Sequence, residues 1–146
     1  MVSSSELFSL LDGFSCYNQV LVAEEDRLKT TFRTKWGTFA YRRMPFGLIK
    51  TRETFQRVMD IAFCDLIGQS VVVYLDDVMI FSKKREEHGF HLKQIFECRR
   101  KYGISLNPKK CVFTVTEGKL SGHIISKKGI SIDLERIKAI EQAPFP

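Results

Sequence analysis

The clearest hydrophobic pattern in the chain is the apolar run over residues 71–81, which two adjacent carboxylates, Asp76 and Asp77, interrupt at its middle. Val, Ile, Tyr and Phe favour strands, and each half of the run is too short for a globular helix. The run therefore predicts a buried hairpin with the two carboxylates at or beside its turn. Aspartate is also a common turn residue, so the pair alone leaves open whether it only forms the turn.

The chain before this run predicts a strand, a hairpin and a helix. Residues 7–11 are typical of a buried strand that leads into a turn at Asp12-Gly13, and residues 20–22 form a second extended run. The charged residues 24–27 predict a solvated stretch, and segments 29–34 and 38–41 predict a hairpin with a short loop. A helix is expected from Thr51 to a C-cap at Gly68, with apolar residues at three- and four-residue steps: Phe55, Val58, Met59, Ala62 and Leu66.

The chain after the run predicts a second helix, several strands and a last helix. Ser82 is the expected cap of the second helix and Gly103 its end, with a buried stripe of Leu92, Ile95, Phe96 and Tyr102. Residues 104–106, 111–115, 119–125 and 130–132 are expected to be extended, with turns at Glu117-Gly118 and Lys128-Gly129. Asp133 is expected to cap the last helix, which turns Ile137 and Ile140 inward. Strands paired as hairpins, with helices between them, indicate an α+β domain whose antiparallel sheet is backed by helices.

Composition and charge narrow the classes of protein that fit. With 146 residues, 44% hydrophobic and 27% charged, the chain is one domain or part of a larger one. It carries no apolar run long enough to cross a bilayer and no secretory signal. None of its four cysteines forms a Cys-x-x-Cys pair, which favours a reducing, intracellular compartment over a zinc site. The net charge of +6 suits a polyanionic partner such as nucleic acid.

The carboxylates suggest a specific chemistry. Asp12 and Asp76 each end an apolar strand, and their side chains meet if the two strands are neighbours in one sheet. Three ionised carboxylates share a site only with the help of cations, and Mg²⁺ prefers oxygen ligands. A pair of such ions can activate an attacking oxygen and stabilise a leaving one, which is what nucleotidyl transfer requires.

Basic and aromatic residues of the predicted hairpin offer a surface for nucleic acid. Its cations are candidates to hold template and primer phosphates, and two aromatic side chains can stack on bases. These residues are Arg33, Lys35, Arg42, Arg43, Trp36 and Phe39. A solvated hairpin with no ligand explains the same residues nearly as well.

Several short motifs, in order, resemble those of reverse transcriptases. The first palm motif resembles Leu11-Asp12-Gly13-Phe14-Ser15 with Tyr17 and Gln19, and the second resembles residues 44–48 with Thr54-Phe55-Gln56. The metal-binding hairpin of the family resembles Tyr74-Leu75-Asp76-Asp77, and later motifs resemble residues 106–113 and 122–126. The amino-acid sequences of these motifs are most similar to those of gypsy-type LTR retrotransposon polyproteins. The resemblance implies that residues 1–146 are a partial reverse transcriptase domain, a polymerase palm with a fingers-like insertion around residues 23–45.

The resemblance also implies roles for individual residues. Asp12, Asp76 and Asp77 are the implied metal-binding and catalytic carboxylates for Mg²⁺, with Mn²⁺ as an alternative. The implied nucleotide-binding residues are Gly13, Tyr17, Phe46, Gly47 and Lys110, with Tyr17 screening the 2′ position of the sugar. Tyr74, Gln56 and Gly122 are the implied primer and template contacts. The implied partners are an RNA or DNA template-primer and deoxynucleotide triphosphates.

The sequence also departs from the family pattern. Residues 50–53 (Lys-Thr-Arg-Glu) stand where small residues are usual, Cys16 where Gly is usual, and Ser121 where an apolar residue is usual. The preceding fingers segment and the connection and ribonuclease H regions are not in this chain. The leading hypothesis is an RNA-directed DNA polymerase domain of a retrotransposon that acts by two-metal nucleotidyl transfer, or a truncated copy of that domain without activity. The alternatives are a non-catalytic remnant that binds nucleic acid weakly and an unrelated basic adaptor. His88 and His91 lack neighbouring ligands, which disfavours a metal site there.

Overall fold

The computed structural model describes residues 2, 4–14, 16–120, 122–134, 137, 138 and 142. In chain order its main elements are β1 (Leu7–Asp12), β2 (Phe32–Thr34), β3 (Gly37–Phe39), α1 (Thr51–Ala62), β4 (Val71–Tyr74), β5 (Asp77–Ser82), α2 (His88–Tyr102), β6 (Val112–Val115), β7 (Glu117–Leu120), β8 (His123–Ser126) and β9 (Gly129–Ile132). Short 3-10 helices cover Cys16–Gln19, Glu24–Thr30 and Arg85–Glu87. The chain is an α+β protein, as the sequence pattern predicts.

The central sheet is antiparallel and has the order β4-β5-β1-β6. β5 pairs with β1 along its whole length, from Ser82 opposite Leu7 to Asp77 opposite Asp12. β4 pairs with the other edge of β5, which confirms the predicted hairpin. The last residue of β1 and the first residue of β5 thus form a pair of carboxylates, Asp12 and Asp77.

The central sheet is buried on both faces, which explains why successive residues of β4, and residues 78–81 of β5, are apolar and do not alternate with polar residues. Val78 and Ile80 of β5 pack into a core with Phe55 of α1 and Ile95 of α2. The intervening residues of β5 pack on the opposite face, where the cluster contains Phe8, Met79, Phe81, Leu120 and Ile125. The helices therefore cover one face of the sheet, and β7 and β8 cover the other.

The two predicted helices are present, but two of their predicted caps are wrong. α1 ends at Ala62, and Gly68 lies beyond it with a φ of 82° in the turn that leads to β4. α2 begins at His88 with no side-chain cap, while Ser82 is the last residue of β5. Gly103 ends α2 in the left-handed conformation, as predicted, with a φ of 67°. Within the predicted stripe Ile95 is buried, whereas Tyr102, the last residue of α2, is exposed.

The chain between β1 and α1 contains the predicted hairpin, formed by β2 and β3. Residues 20–22 do not form a strand; Leu21 makes a single bridge with Arg43. The stretch expected to be solvated is a 3-10 helix, Glu24–Thr30, with no buried residue. Its charged residues are exposed or partly exposed, which agrees with the predicted solvated stretch, although its backbone is ordered into turns.

A second, three-stranded antiparallel sheet has the order β7-β8-β9 and packs near β1. The predicted turn at Glu117-Gly118 is wrong, because both residues lie in β7. Gly118 lies close to β1: a Cβ built there would lie 2.4 Å from Leu10 Cδ1, so the Leu10 side chain would have to move. The predicted strand 119–125 is divided by a turn at Gly122, whose φ is 82°.

The remaining predictions concern the ends of these elements. Of the predicted strand 104–106, only Leu106 is bridged, to Gly13. After Asp133, residues 134, 137 and 138 are helical, and Ile140 lies outside the described residues. Within the described part of the chain, no helix is both long and apolar enough to cross a membrane.

Candidate active site

The acidic edge of the central sheet brings together the three predicted carboxylate residues. Asp12 ends β1 directly opposite Asp77, the first residue of β5. Asp76 lies in the two-residue loop between β4 and β5, and its carbonyl oxygen accepts a hydrogen bond from the Gly13 N–H at 3.2 Å. The hydrogen-bonding pattern of the sheet therefore places all three residues at one edge. Asp12 and Asp76 meet there although they are 64 positions apart in the sequence.

The loop that carries Asp76 has an unfavourable backbone conformation. Leu75 has a φ of 56°, the left-handed region that normally favours glycine and costs a residue with a Cβ about 1–2 kcal/mol. Its N–H donates a hydrogen bond to Gln56 Oε1 of α1 at 2.7 Å. This contact connects the helix behind the sheet to the turn, and the sequence does not reveal it because neither residue type signals it.

Negative charge is in excess at this edge. Burial raises the pKa of the Asp77 carboxyl, and repulsion from Asp76 and then from Asp12 raises it further, while Lys110 opposes the shift. Lys110 Nζ lies 3.5 Å from Asp12 Oδ2. Lys110 thus opposes this repulsion from the side of Asp12 and Asp77, and the electrostatics favour additional positive charge.

The donor set suits a divalent cation, because all three side chains present carboxylate oxygens, the ligands that Mg²⁺ prefers. Their present spacing does not assemble them into one ligand group: no cluster of three His, Cys, Asp or Glu side chains among the described residues is arranged to hold a metal ion. The chemistry of the residues therefore fits a cation, and the raised pKa of Asp77 is the observation that supports this fit.

A cavity of about 580 Å³ adjoins the acidic edge and contains several of the predicted nucleotide-binding residues. It is lined by Tyr17, Phe46, Gly47 and Asp76 among others. The ring of Tyr17 is buried and packs edge-on against Phe46 at 4.9 Å and against Phe55 at 5.4 Å between centroids. This packing fixes the Tyr17 ring as a rigid wall of the cavity.

A second cavity, of about 420 Å³, also adjoins the acidic edge. Asp12, Asp77 and Lys110 line it, together with Gly118 of β7 and apolar side chains of the central sheet. The three carboxylates therefore face two cavities, Asp76 the first and the other two the second. The sequence does not predict this division.

The predicted primer and template residues do not gather in these cavities. Tyr74 is exposed at the end of β4, and Gly122 lies in the β7–β8 turn, where its carbonyl oxygen accepts from the Asp133 N–H at 3.1 Å. Gln56 contacts the Leu75 backbone. Their predicted roles remain predictions.

The residues that depart from the family pattern differ in their surroundings. Arg52 lines the 580 Å³ cavity, whereas Glu53 is exposed and Lys50 lines a separate cavity of about 400 Å³. Thr51 is buried, and its hydroxyl donates to the Pro45 carbonyl oxygen at 3.4 Å. Only one long side chain of this segment thus reaches the 580 Å³ cavity. Ser121 lies outside the described residues.

Side-chain contacts also hold the segment around Tyr17, and the sequence patterns do not indicate them. The Gln19 side chain accepts from the Ser105 N–H at 2.6 Å and donates back to the Ser105 carbonyl oxygen at 3.0 Å. One guanidinium nitrogen of Arg43 donates to the carbonyl oxygens of Asn18 and Gln19, each at 3.1 Å. Arg43, predicted as a phosphate contact, therefore also supports the wall of the 580 Å³ cavity.

The α+β fold with paired aspartates on a central hairpin is consistent with the polymerase palm that the motifs imply. The sequence model described as reverse transcriptase (RNA-dependent DNA polymerase) matches residues 2–125, and the chain belongs to this family. It is 34% identical over 145 residues to the retrovirus-related Pol polyprotein from transposon gypsy of Drosophila melanogaster. It is 31% identical over 145 residues to the transposon Tf2-3 polyprotein of Schizosaccharomyces pombe. The predicted resemblance to gypsy-type polyproteins is confirmed.

These alignments cover 99% of the chain but only 14% and 11% of the two relatives. Among solved structures, the foamy viral protease-reverse transcriptase in complex with an RNA/DNA hybrid superposes with a TM-score of 0.84 at 18% identity. That superposition covers 99% of this chain and 20% of the viral chain. A second structure of the foamy viral enzyme, in complex with double-stranded DNA, gives a TM-score of 0.86 at 19% identity over 97% of this chain. These likenesses establish a shared fold.

Proposed function

We propose that this chain is the catalytic palm of an RNA-directed DNA polymerase from a retrotransposon polyprotein. Its substrates are a template-primer of RNA or DNA and deoxynucleotide triphosphates, and its cofactor is Mg²⁺ or Mn²⁺. One observation carries the proposal: the β1–β5 pairing puts Asp12 opposite Asp77, and the adjoining loop carries Asp76 to the wall of a 580 Å³ cavity. Family membership makes a polymerase the natural function for that edge.

In this proposal the carboxylates of Asp12, Asp76 and Asp77 would hold the divalent cations. When bound, such cations favour an attacking 3′ oxygen and neutralise charge that develops on the leaving pyrophosphate. The Gly13 backbone is close to the nucleotide phosphates. Lys110, 3.5 Å from Asp12, adds a fixed positive charge at the edge and donates a proton to the departing pyrophosphate.

The cavity walls select and orient the nucleotide. Phe46 and Gly47 line the space for base and sugar, and the buried Tyr17 ring blocks a 2′ hydroxyl. Tyr17 has little freedom to move aside, because Phe46 and Phe55 pack on it. Discrimination against ribonucleotides follows from that rigidity.

The nucleic-acid partner is proposed from charge as well as from likeness. The net charge of +6 favours a polyanion, and exposed cations lie on the β2–β3 hairpin beside Trp36, which is 78% exposed. Lys35 Nζ lies 4.3 Å from the Trp36 ring centroid, so that ring is already engaged by a cation. Tyr74 and Gly122 are proposed to contact the primer.

Primer extension tests the proposal directly. The 146-residue chain is incubated with an RNA template, a DNA primer, deoxynucleotides and either Mg²⁺ or Mn²⁺. We expect extension that falls by about 10²–10³-fold in Asp76→Asn, since a metal ligand contributes several kcal/mol to the transition state. The exposed Asp65 supplies the matched control, and Asp65→Asn should extend as the unaltered chain does. No extension at any cation concentration would contradict the proposal and favour a non-catalytic remnant.

A further inference from the structure

The backbone N–H of Leu75 is hydrogen-bonded to a side chain of α1. Leu75 is half-buried, adopts a φ of 56°, and immediately precedes Asp76. Its N–H donates to Gln56 Oε1 at 2.7 Å. Leu75 lies outside the regular β4–β5 pairing, so losing the Gln56 acceptor leaves this half-buried N–H without its protein partner.

The acceptor itself needs to be oriented. A glutamine amide has an oxygen and an NH₂ group of nearly equal size, and a flip would present donors to the Leu75 N–H. Asp60 lies one helical turn after Gln56 in α1, and its Oδ1 accepts from Gln56 Nε2 at 2.9 Å. An ionised carboxylate only accepts hydrogen bonds, so Asp60 stabilises the orientation in which Gln56 Oε1 faces Leu75.

Asp60 does not contact the proposed reacting groups. Its side chain is exposed, and it lines neither the 580 Å³ nor the 420 Å³ cavity. Its connection to the acidic edge runs through one hydrogen bond to Gln56 and one more to the Leu75 backbone. A carboxylate in this position acts through the amide and not as a cation ligand.

We propose that Asp60 is a positioning residue for Asp76. By fixing the orientation of the Gln56 amide, Asp60 stabilises the positive-φ conformation of Leu75 and thereby the position of the next residue in the loop. The effect on cation binding and polymerisation rests on the proposed function of Asp76. The hydrogen-bond relay, from Asp60 through Gln56 to the Leu75 N–H, does not depend on that proposed function.

Amide hydrogen exchange measured by NMR on the 146-residue chain tests the relay. Gln56→Met keeps the length of the side chain but removes the acceptor, and exchange of the Leu75 amide should accelerate by about tenfold. Asp60→Asn gives residue 60 a donor as well as an acceptor, which permits the flipped amide, and exchange should accelerate by about threefold. The exposed Gln69 and Asp65 provide the matched controls Gln69→Met and Asp65→Asn, which should leave exchange at Leu75 unchanged.

A rescue variant separates positioning from general destabilisation. Glycine adopts positive φ without steric cost, so Leu75→Gly should reduce the effect of Asp60→Asn. When Leu75 is unaltered, we expect Asp60→Asn to weaken the affinity for Mn²⁺ by about threefold. When Leu75→Gly is also present, we expect Asp60→Asn to leave that affinity nearly unchanged.

Unchanged exchange at Leu75 in both Gln56→Met and Asp60→Asn overturns the relay. Accelerated exchange with unaltered Mn²⁺ affinity overturns the positioning of Asp76. If the unaltered chain neither binds Mn²⁺ nor extends a primer, the proposed function fails, and the exchange measurement still decides the relay.

Discussion

The two ends of the β1–β5 strand pair differ in how well their buried polar groups are paired. One end carries the acidic edge. The other end carries a serine–histidine cluster, which consists of Ser9, Ser82, His88 and His91. The same two strands supply residues to both ends, so the difference lies in the partners that each end meets.

Hydrogen bonds connect the buried groups of the serine–histidine cluster to one another. His88 is only 2% exposed, and its two ring nitrogens lie 2.8 Å from the hydroxyls of Ser9 and Ser82. Ser82 Oγ also lies 2.7 Å from His91 Nδ1, and Ser9 Oγ accepts from the Thr114 N–H at 3.0 Å. Buried polar groups with partners of this kind stabilise a unique packing.

The acidic edge lacks such compensation. Asp77 has a pKa raised by burial and by repulsion from Asp76 and Asp12, with Lys110 as the opposing cation. Net repulsion costs stability, and a fold retains that cost most readily where a ligand relieves it. The difference favours a structural role for the serine–histidine cluster and supports the proposed binding of cations at the acidic edge.

The largest expected effect on stability is at the serine–histidine cluster. Ser82→Ala removes the hydroxyl that contacts both histidine rings and leaves the buried His88 Nδ1 without its partner. We expect the free energy of unfolding to fall by about 2 kcal/mol, measured by urea denaturation at pH 7.5. The exposed Ser131 gives the control Ser131→Ala, which should change it little. Equal effects of the two substitutions would contradict a structural role for the cluster.

An intermediate effect is expected on acidification. Burial, and then repulsion from His91, lowers the pKa of His88 below the ordinary histidine value of about 6.5. The unfolded chain therefore takes up this proton at a higher pH than the folded chain does, and stability falls as the pH drops through about 6.5. We expect a loss of about 1 kcal/mol between pH 7.5 and pH 5.5 that is absent in His88→Gln. The same pH slope in both proteins would assign the titration to another group.

The smallest effect, of opposite sign, is expected at the acidic edge. Because folding raises the pKa of Asp77, the folded chain holds this proton more tightly than the unfolded chain does. The stability from this shift is present below the unfolded pKa and is lost as the pH rises through the folded pKa. At pH 7, Asp77→Asn should therefore raise the free energy of unfolding by up to about 1 kcal/mol, screened by solvent. A destabilised Asp77→Asn variant would mean that this carboxylate already has adequate partners.

The acidic edge was more predictable from sequence than the serine–histidine cluster. The strand before Asp12 and the hairpin around Asp76 are local patterns, and their pairing follows once both belong to one antiparallel sheet. The cluster depends on contacts between residues as far apart as Ser9 and His88, which no local pattern encodes. The local pattern therefore predicts Ser82 as a helix cap, whereas its hydroxyl contacts the rings of His88 and His91.

Tertiary packing also explains the other errors. Glu117-Gly118 looks like a turn, yet Gly118 lies in a strand because its missing Cβ leaves room for Leu10. The contact of Gln56 with the Leu75 backbone is likewise not encoded in any local pattern, and the implied role of Gln56 at the primer or template remains a prediction. Single hydrogen bonds between elements are invisible to periodicity and composition.

Mn²⁺ binding tests the central claim about the acidic edge most directly. Titration of Mn²⁺ into the 146-residue chain, followed by electron paramagnetic resonance of the unbound ion, should give saturable binding that Asp12→Asn and Asp76→Asn each weaken by at least about tenfold. The control Asp65→Asn should bind as the unaltered chain does. Binding that is absent, or equal in all four proteins, would contradict the assignment of this edge to divalent cations.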